Sequence, residues 1–93
     1  MSARQVWDAW KVAGPCARCG RDAEALAIAH GTDLRGAAAM IQADHLPHAV
    51  KVDNPSRIAR HGSTAALVAE LAKCQRLCAN CHSATTSERS RRR

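Results

Sequence analysis

Two Cys-x-x-Cys pairs constrain this chain more than any other feature in it. Cys16-Ala17-Arg18-Cys19 lies near one end and Cys78-Ala79-Asn80-Cys81 near the other, with 58 residues between Cys19 and Cys78. Each pair can fill two corners of one tetrahedral zinc site, which brings the ends together whatever the loop between them does. Closing so long a loop through a metal restricts the unfolded chain strongly and couples metal binding to folding. Little else is available to build a core. Phe and Tyr are missing, Trp7 and Trp10 supply all the aromatic area, and the 46% hydrophobic share is carried largely by alanine. Alanine favours helix but buries little surface. A single domain of 93 residues with such a core is of the kind that leans on a metal staple. A redox role explains one pair poorly and both worse, because no thioredoxin-like pattern surrounds them. Cys74, the odd fifth cysteine, reads as a small strand residue.

Formal net charge is +6, which suits a polyanionic partner, most simply nucleic acid. Without a long apolar segment, no membrane span is expected. The first residues lack the apolar core of a secretory signal, so the expectation is a cytoplasmic protein with reduced thiols, favouring metal over disulfides.

Along the chain, Ser2 to Val12 is expected to be a capped helix with Val6, Trp7 and Trp10 inward, ended by Gly14-Pro15. Gly20 follows the first knuckle, where a tight turn calls for positive φ. Residues 21–39 are the least legible: Ala23 to Ala29 fits strand or helix, Gly31-Thr32-Asp33 a turn, and Gly36 a break. His30 reads as an exposed histidine. Met40 to Leu46 reads as a strand and Ala49 to Val52 as a second short extended piece. A short helix through Arg57 and Arg60 follows, then one from about Ala65 to Lys73 with Leu67, Val68 and Leu71 inward. Cys74 to Leu77 reads as a strand into the second knuckle, and a helix carries His82 through about Glu88. Arg89 to Arg93 is expected to be a mobile basic tail.

Four thiolates close the zinc shell, so that ion cannot also activate water. A catalytic ion needs its own ligands, and Asp44 and His82 suit the role if the two strands pair. A carboxylate and an imidazole fit Mg²⁺, Mn²⁺, Ni²⁺ or Zn²⁺. His45 fits a general base. Adjacent strand residues point to opposite faces, so Asp44 and His45 share a site only if the chain bends there, as Pro47 allows. Arg57, Arg60, Arg76, Arg89 and Arg91 are the candidate nucleic-acid contacts, and His48 a further ligand or phosphate contact.

Asp44-His45, a long loop, then Leu77-Cys78-Ala79-Asn80-Cys81-His82 resembles the zinc-knuckle branch of the HNH (ββα-metal) endonucleases. The run from Glu70 to His82 looks like the small phage and prophage members. The resemblance covers about Cys16 to Thr86, with residues 21–39 as an insertion. It implies an α+β fold, a small ββα-metal (His-Me finger) domain with a four-cysteine zinc knuckle and flanking short helices. The expected layout is an N-terminal helix over 1–14, the zinc-stapled core over 16–86 and the basic tail over 87–93. It further implies that His45 deprotonates water while Asp44 and His82 hold a divalent ion against the scissile phosphate, giving 5′-phosphate and 3′-hydroxyl ends. Two departures stand out. Lys73 occupies the position, five residues before Cys78, where many members carry an asparagine that ties the loop to the site, leaving Asn54 and Asn80 as candidates for the middle motif residue. Ser83-Ala84-Thr85-Thr86 also lacks the usual basic residues, a loss the arginine tail can offset. The competing expectations are a non-catalytic zinc module binding nucleic acid, and a nuclease active only beside a phage terminase or packaging partner.

Overall fold

A computed structural model describes residues 1–91; Arg92 and Arg93, the end of the expected tail, lie outside the described residues. The chain is α+β, ordered α1 (Ala3–Val12), α2 (Ala23–His30), α3 (Leu34–Ala39), β1 (Ile41–His45), α4 (Pro55–His61), α5 (Thr64–Leu71), β2 (Cys74–Cys78) and α6 (Ala79–Arg91). Among the described residues no helix is long and apolar enough to cross a membrane.

Local chemistry explains most boundaries. Ser2 caps α1 in a full capping box with Gln5, satisfying donors that a helix start leaves open. Asp22, Asp33 and Ser63 do the same for α2, α3 and α5 through N–H groups three residues on. Gly31 ends α2 at φ 63°, the left-handed cap that glycine adopts without a Cβ penalty. Pro55 opens α4 at its first turn, where no N–H is needed.

Three expectations are corrected. Gly36 lies inside α3 instead of breaking it, while the stretch from Ala23, open between strand and helix, is resolved as helix. Ala49 to Val52 is irregular chain, not a strand. Nor is there a separate tail over the described residues: α6 runs past Glu88 to Arg91.

The two strands pair antiparallel, Ile41 opposite Cys78, Ala43 opposite Arg76, Asp44 opposite Gln75 and His45 opposite Cys74. Alternation then divides the side chains. Gln42 and Asp44 meet residues of α6, and Gln75 joins them on that face through its bond to Asp44. On the other face Arg76 meets α1 and His45 meets α5. Two apolar clusters flank this thin sheet. Cys16, Ala23, Leu26, Ala37, Ile41, Leu77 and Cys78 form one, which anchors α2 and α3 beside the knuckles. Ile58, Ala59, Leu67 and Leu71 form the other, with Trp7, Trp10 and Ala43 packed against it. The tryptophans stack on each other, centroids 5.8 Å apart and 8° from parallel, and fill space beside the second cluster.

Candidate functional site

The four knuckle cysteines converge, with all sulfurs within 4.8 Å of one another. Cys19 Sγ lies 3.9 Å from Cys78 Sγ. Zinc–sulfur bonds of about 2.3 Å at tetrahedral angles give an edge of about 3.8 Å, so the donor set is placed to hold a structural metal such as zinc. Gly20 takes φ 79° and donates its N–H to Cys16 O at 2.9 Å, the turn its position called for. Ala17 N bonds Arg76 O at 2.7 Å and Ala79 N bonds Met40 O at 2.8 Å, so the sheet itself sets the spacing between knuckles. Arg18 closes the outer side through two contacts to Glu88, at 3.0 and 2.6 Å, and one to Thr85 at 3.1 Å. Burial works against ionising Cys16, but backbone N–H groups of the knuckles bring its thiol down to about 6. Burial and the neighbouring sulfurs push Cys81 up to about 12. Crowded thiols thus ionise unequally, and a cation among them removes the repulsion.

Beside the second knuckle, the first turn of α6 carries His82 over the sheet. Its Nε2 is 3.4 Å from Asp44 Oδ1, and its Nδ1 meets Gln42 Oε1. The amide oxygen can only accept, so Nδ1 carries a hydrogen, and in the neutral ring Nε2, on the side of the carboxylate, is the nitrogen free to bind a cation. Neighbouring ligands about 2.1 Å from one ion stand about 3.0–3.4 Å apart, so Asp44 and His82 fit two positions around a divalent cation. The third partner is unexpected. Arg89, two turns along α6, donates Nη1 to Oδ1 at 2.8 Å and Nη2 to Oδ2 at 3.1 Å, while Gln75 Nε2 bonds Oδ2 at 3.0 Å. Asp44 is 4% exposed. Burial raises its pKa, but hydrogen bonds from Arg89 and Gln75 outweigh it and hold the carboxyl below its usual range.

His45 does not share this arrangement. It lies on the opposite face, its Nε2 2.7 Å from Glu70 Oε2. Glu70 also accepts from Val52 N at 3.0 Å and from Lys73 Nζ at 2.9 Å. The strand runs regularly through His45, so the bend needed to bring both side chains to one face is not made within β1. Among the described residues the four cysteines are the one group of three or more ligand-type side chains close enough to share a metal.

The arginines divide. Arg57 and Arg60 on α4 and Arg91 at the end of α6 are exposed, Arg57 with a loose pair to Asp53 at 3.7 Å. Arg76, unlike these, is engaged within the fold. Its guanidinium stacks 4.4 Å over the Trp10 ring and donates Nε to Trp10 O at 2.6 Å. Arg89 is likewise engaged inside the fold, on Asp44. His48, Asn54 and Asn80 are exposed, and Lys73 instead makes the loop tie, Nζ to Val50 O at 2.9 Å. Sequence reading passed over Gln42, Gln75 and Glu70. Strand alternation from Asp44 would have singled out Gln42; nothing local marks Glu70. Compared with protein-family models, curated proteins and solved structures, the chain matches none.

Proposed function

We propose that the protein is a divalent-metal-dependent DNA endonuclease of the ββα-metal type, hydrolysing phosphodiester bonds with low sequence preference around a structural zinc. The meeting of Asp44 and His82 between the sheet and α6 carries this reading. Asp44 comes from β1 and His82 from α6, which follows β2 directly, with α4 and α5 between the two strands.

Asp44 would hold the catalytic ion through the oxygens that Arg89 now grips, and His82 through Nε2, with Gln42 fixing the ring. When bound, such an ion stabilises charge growing on the leaving 3′ oxygen. His45 takes the proton from the attacking water. Glu70, an ionised carboxylate, can only accept, so His45 Nε2 carries hydrogen, and in the neutral ring Nδ1 carries the lone pair. With the two side chains on opposite faces, the phosphodiester lies across the end of β1, where Leu46 and Pro47 leave the sheet. The exposed Arg57, Arg60 and Arg91 supply phosphate contacts, which position DNA without reading sequence.

The test is plasmid cleavage by the zinc-loaded full chain with EDTA, Mg²⁺, Mn²⁺, Ni²⁺ or Zn²⁺, beside His45→Ala. Metal-dependent cutting that His45→Ala abolishes is expected; cutting that survives removes His45 from the mechanism. One observation favours a second reading, a zinc-stapled nucleic-acid-binding module: Asp44 and His45 are both paired within the protein, to Arg89 and Glu70. Salt-sensitive DNA binding without cutting in any metal would support it, unless cutting returns when a packaging partner is added.

A further inference from the structure

Glu70 is a buried acid at the C-terminal end of α5, its side chain 3% exposed. A charge so placed is costly unless fully paired, and its partners all lead to one segment. Oε2 accepts from His45 Nε2 at 2.7 Å and from the backbone N–H of Val52 at 3.0 Å. Oε1 accepts from Lys73 Nζ at 2.9 Å, and Lys73 continues to Val50 O at 2.9 Å. The chain between β1 and α4 forms no strand or helix. Val50 and Val52 are 79% and 77% exposed, so apolar burial of these side chains does not hold it. Its backbone is tied instead by the side chains of Glu70 and Lys73, at Val52 N and Val50 O, and where it leaves β1 by Leu46 N to the Lys73 carbonyl at 2.9 Å.

The pairing also defines a tautomer. The Lys73 hydrogen bond, foremost, holds the Glu70 carboxyl down to about 2 against its burial, so the group is an acceptor only.

We infer that Glu70 and Lys73 are positioning residues for His45: Glu70 orients the ring through its Nε2–H, leaving Nδ1 to act as base, and Lys73 pins Val50 so that the segment after β1 keeps the ring in place. The catalytic consequence rests on the nuclease reading; the orientation does not. A purely stabilising role would cost folding free energy when either residue is lost but would leave the ring tautomer of folded protein unchanged.

The experiment uses the zinc-loaded full chain, wild type, Glu70→Ala, Glu70→Gln and Lys73→Met, each checked for zinc content and circular dichroism. Ring ¹⁵N shifts of His45 at alkaline pH are read first. Wild type is expected as the Nε2–H tautomer, and Glu70→Ala as a mixture of both. Glu70→Gln, which keeps the shape, serves if the alanine variant does not fold, and is expected to shift the tautomer ratio as well. Where the wild type cuts DNA, kcat should fall about 10–100-fold in the Glu70 variants, as for lost outer-shell partners of catalytic groups. KM and metal-free DNA affinity should hold. Lys73→Met should speed hydrogen exchange at Val52 and lower kcat in the same sense. A wild-type Nδ1–H tautomer, or a folded Glu70 variant with wild-type tautomer and kcat, overturns the inference. A wild type that cuts no DNA yet loses its Nε2–H tautomer in the Glu70 variants overturns the nuclease reading and leaves the positioning role standing.

Discussion

Arg89 grips Asp44 with both terminal nitrogens, 2.8 Å from Oδ1 and 3.1 Å from Oδ2, and so covers the carboxylate that faces His82. The guanidinium supplies the positive charge that a buried carboxylate requires, in the place a divalent ion would supply it. The Arg89 side chain is 35% exposed, which leaves it room to withdraw toward solvent.

Arg89→Ala should therefore weaken the metal-free fold while freeing a cation site. The expected loss is about 1–3 kcal/mol for a buried acceptor deprived of its main donor. Mn²⁺ affinity, measured by calorimetry on zinc-loaded protein, should rise, and Asp44→Ala should abolish it. Mn²⁺ binding that ignores both substitutions would show that Asp44 is not a ligand.

Zinc analysis should give one ion per chain, and Cys78→Ser should yield metal-poor, largely unfolded protein, since metal binding and folding are linked. Thiolates bind the ion and protons compete for them. Zinc release followed by a chromogenic chelator should accordingly increase as pH falls. A folded, zinc-free Cys78→Ser protein would contradict the staple.

Arg76 and the α4 arginines should separate in opposite senses. Arg76→Met removes a bond to Trp10 O and a stacked cation, with an expected cost of about 1–2 kcal/mol in urea unfolding and little change in DNA affinity. Arg57→Ala and Arg60→Ala should leave stability nearly unchanged, and each should lower the salt slope of DNA binding by about one if it touches phosphate. A salt slope that falls only with Arg76→Met would reverse this assignment.

Glu70 makes part of the stability acid-labile. Its folded pKa is depressed from 4.5 to about 2, with Lys73 the leading cause. The unfolded chain binds the proton more readily, so this contribution is fully present above about pH 4.5 and is lost as pH falls toward 2. Between pH 6 and pH 3 the wild type should lose more stability than Glu70→Gln, read by denaturant midpoints. Equal losses would remove Glu70 from the acid response.

Local chemistry by itself determined much of this protein. The Cys-x-x-Cys spacings pointed to a meeting of Cys16, Cys19, Cys78 and Cys81, because thiols with two residues between them can share one ion. Gly20 foretold a left-handed turn, Ser2 and Ser63 foretold helix starts, and the β-strand ending at His45 was legible before Pro47. Alternation along that strand set Asp44 and His45 on opposite faces unless the chain bent near Pro47, and within β1 the structure makes no such bend. What the tertiary structure alone decided is where each polar group found its partner. His45 meets Glu70 across 25 residues and Asp44 meets Arg89 across 45, and such pairings depend on how α5 and α6 pack on the two faces of the sheet. The same packing set the alanine-rich helix from Ala23 against Cys16 and Ile41, and drew Arg76 onto Trp10. Alanine favours helix but carries too little pattern to say which face will be buried, and an arginine carries no mark of whether its charge will meet solvent, a ring or a buried acid. Those choices belong to burial, which exists only once the chain has closed on itself.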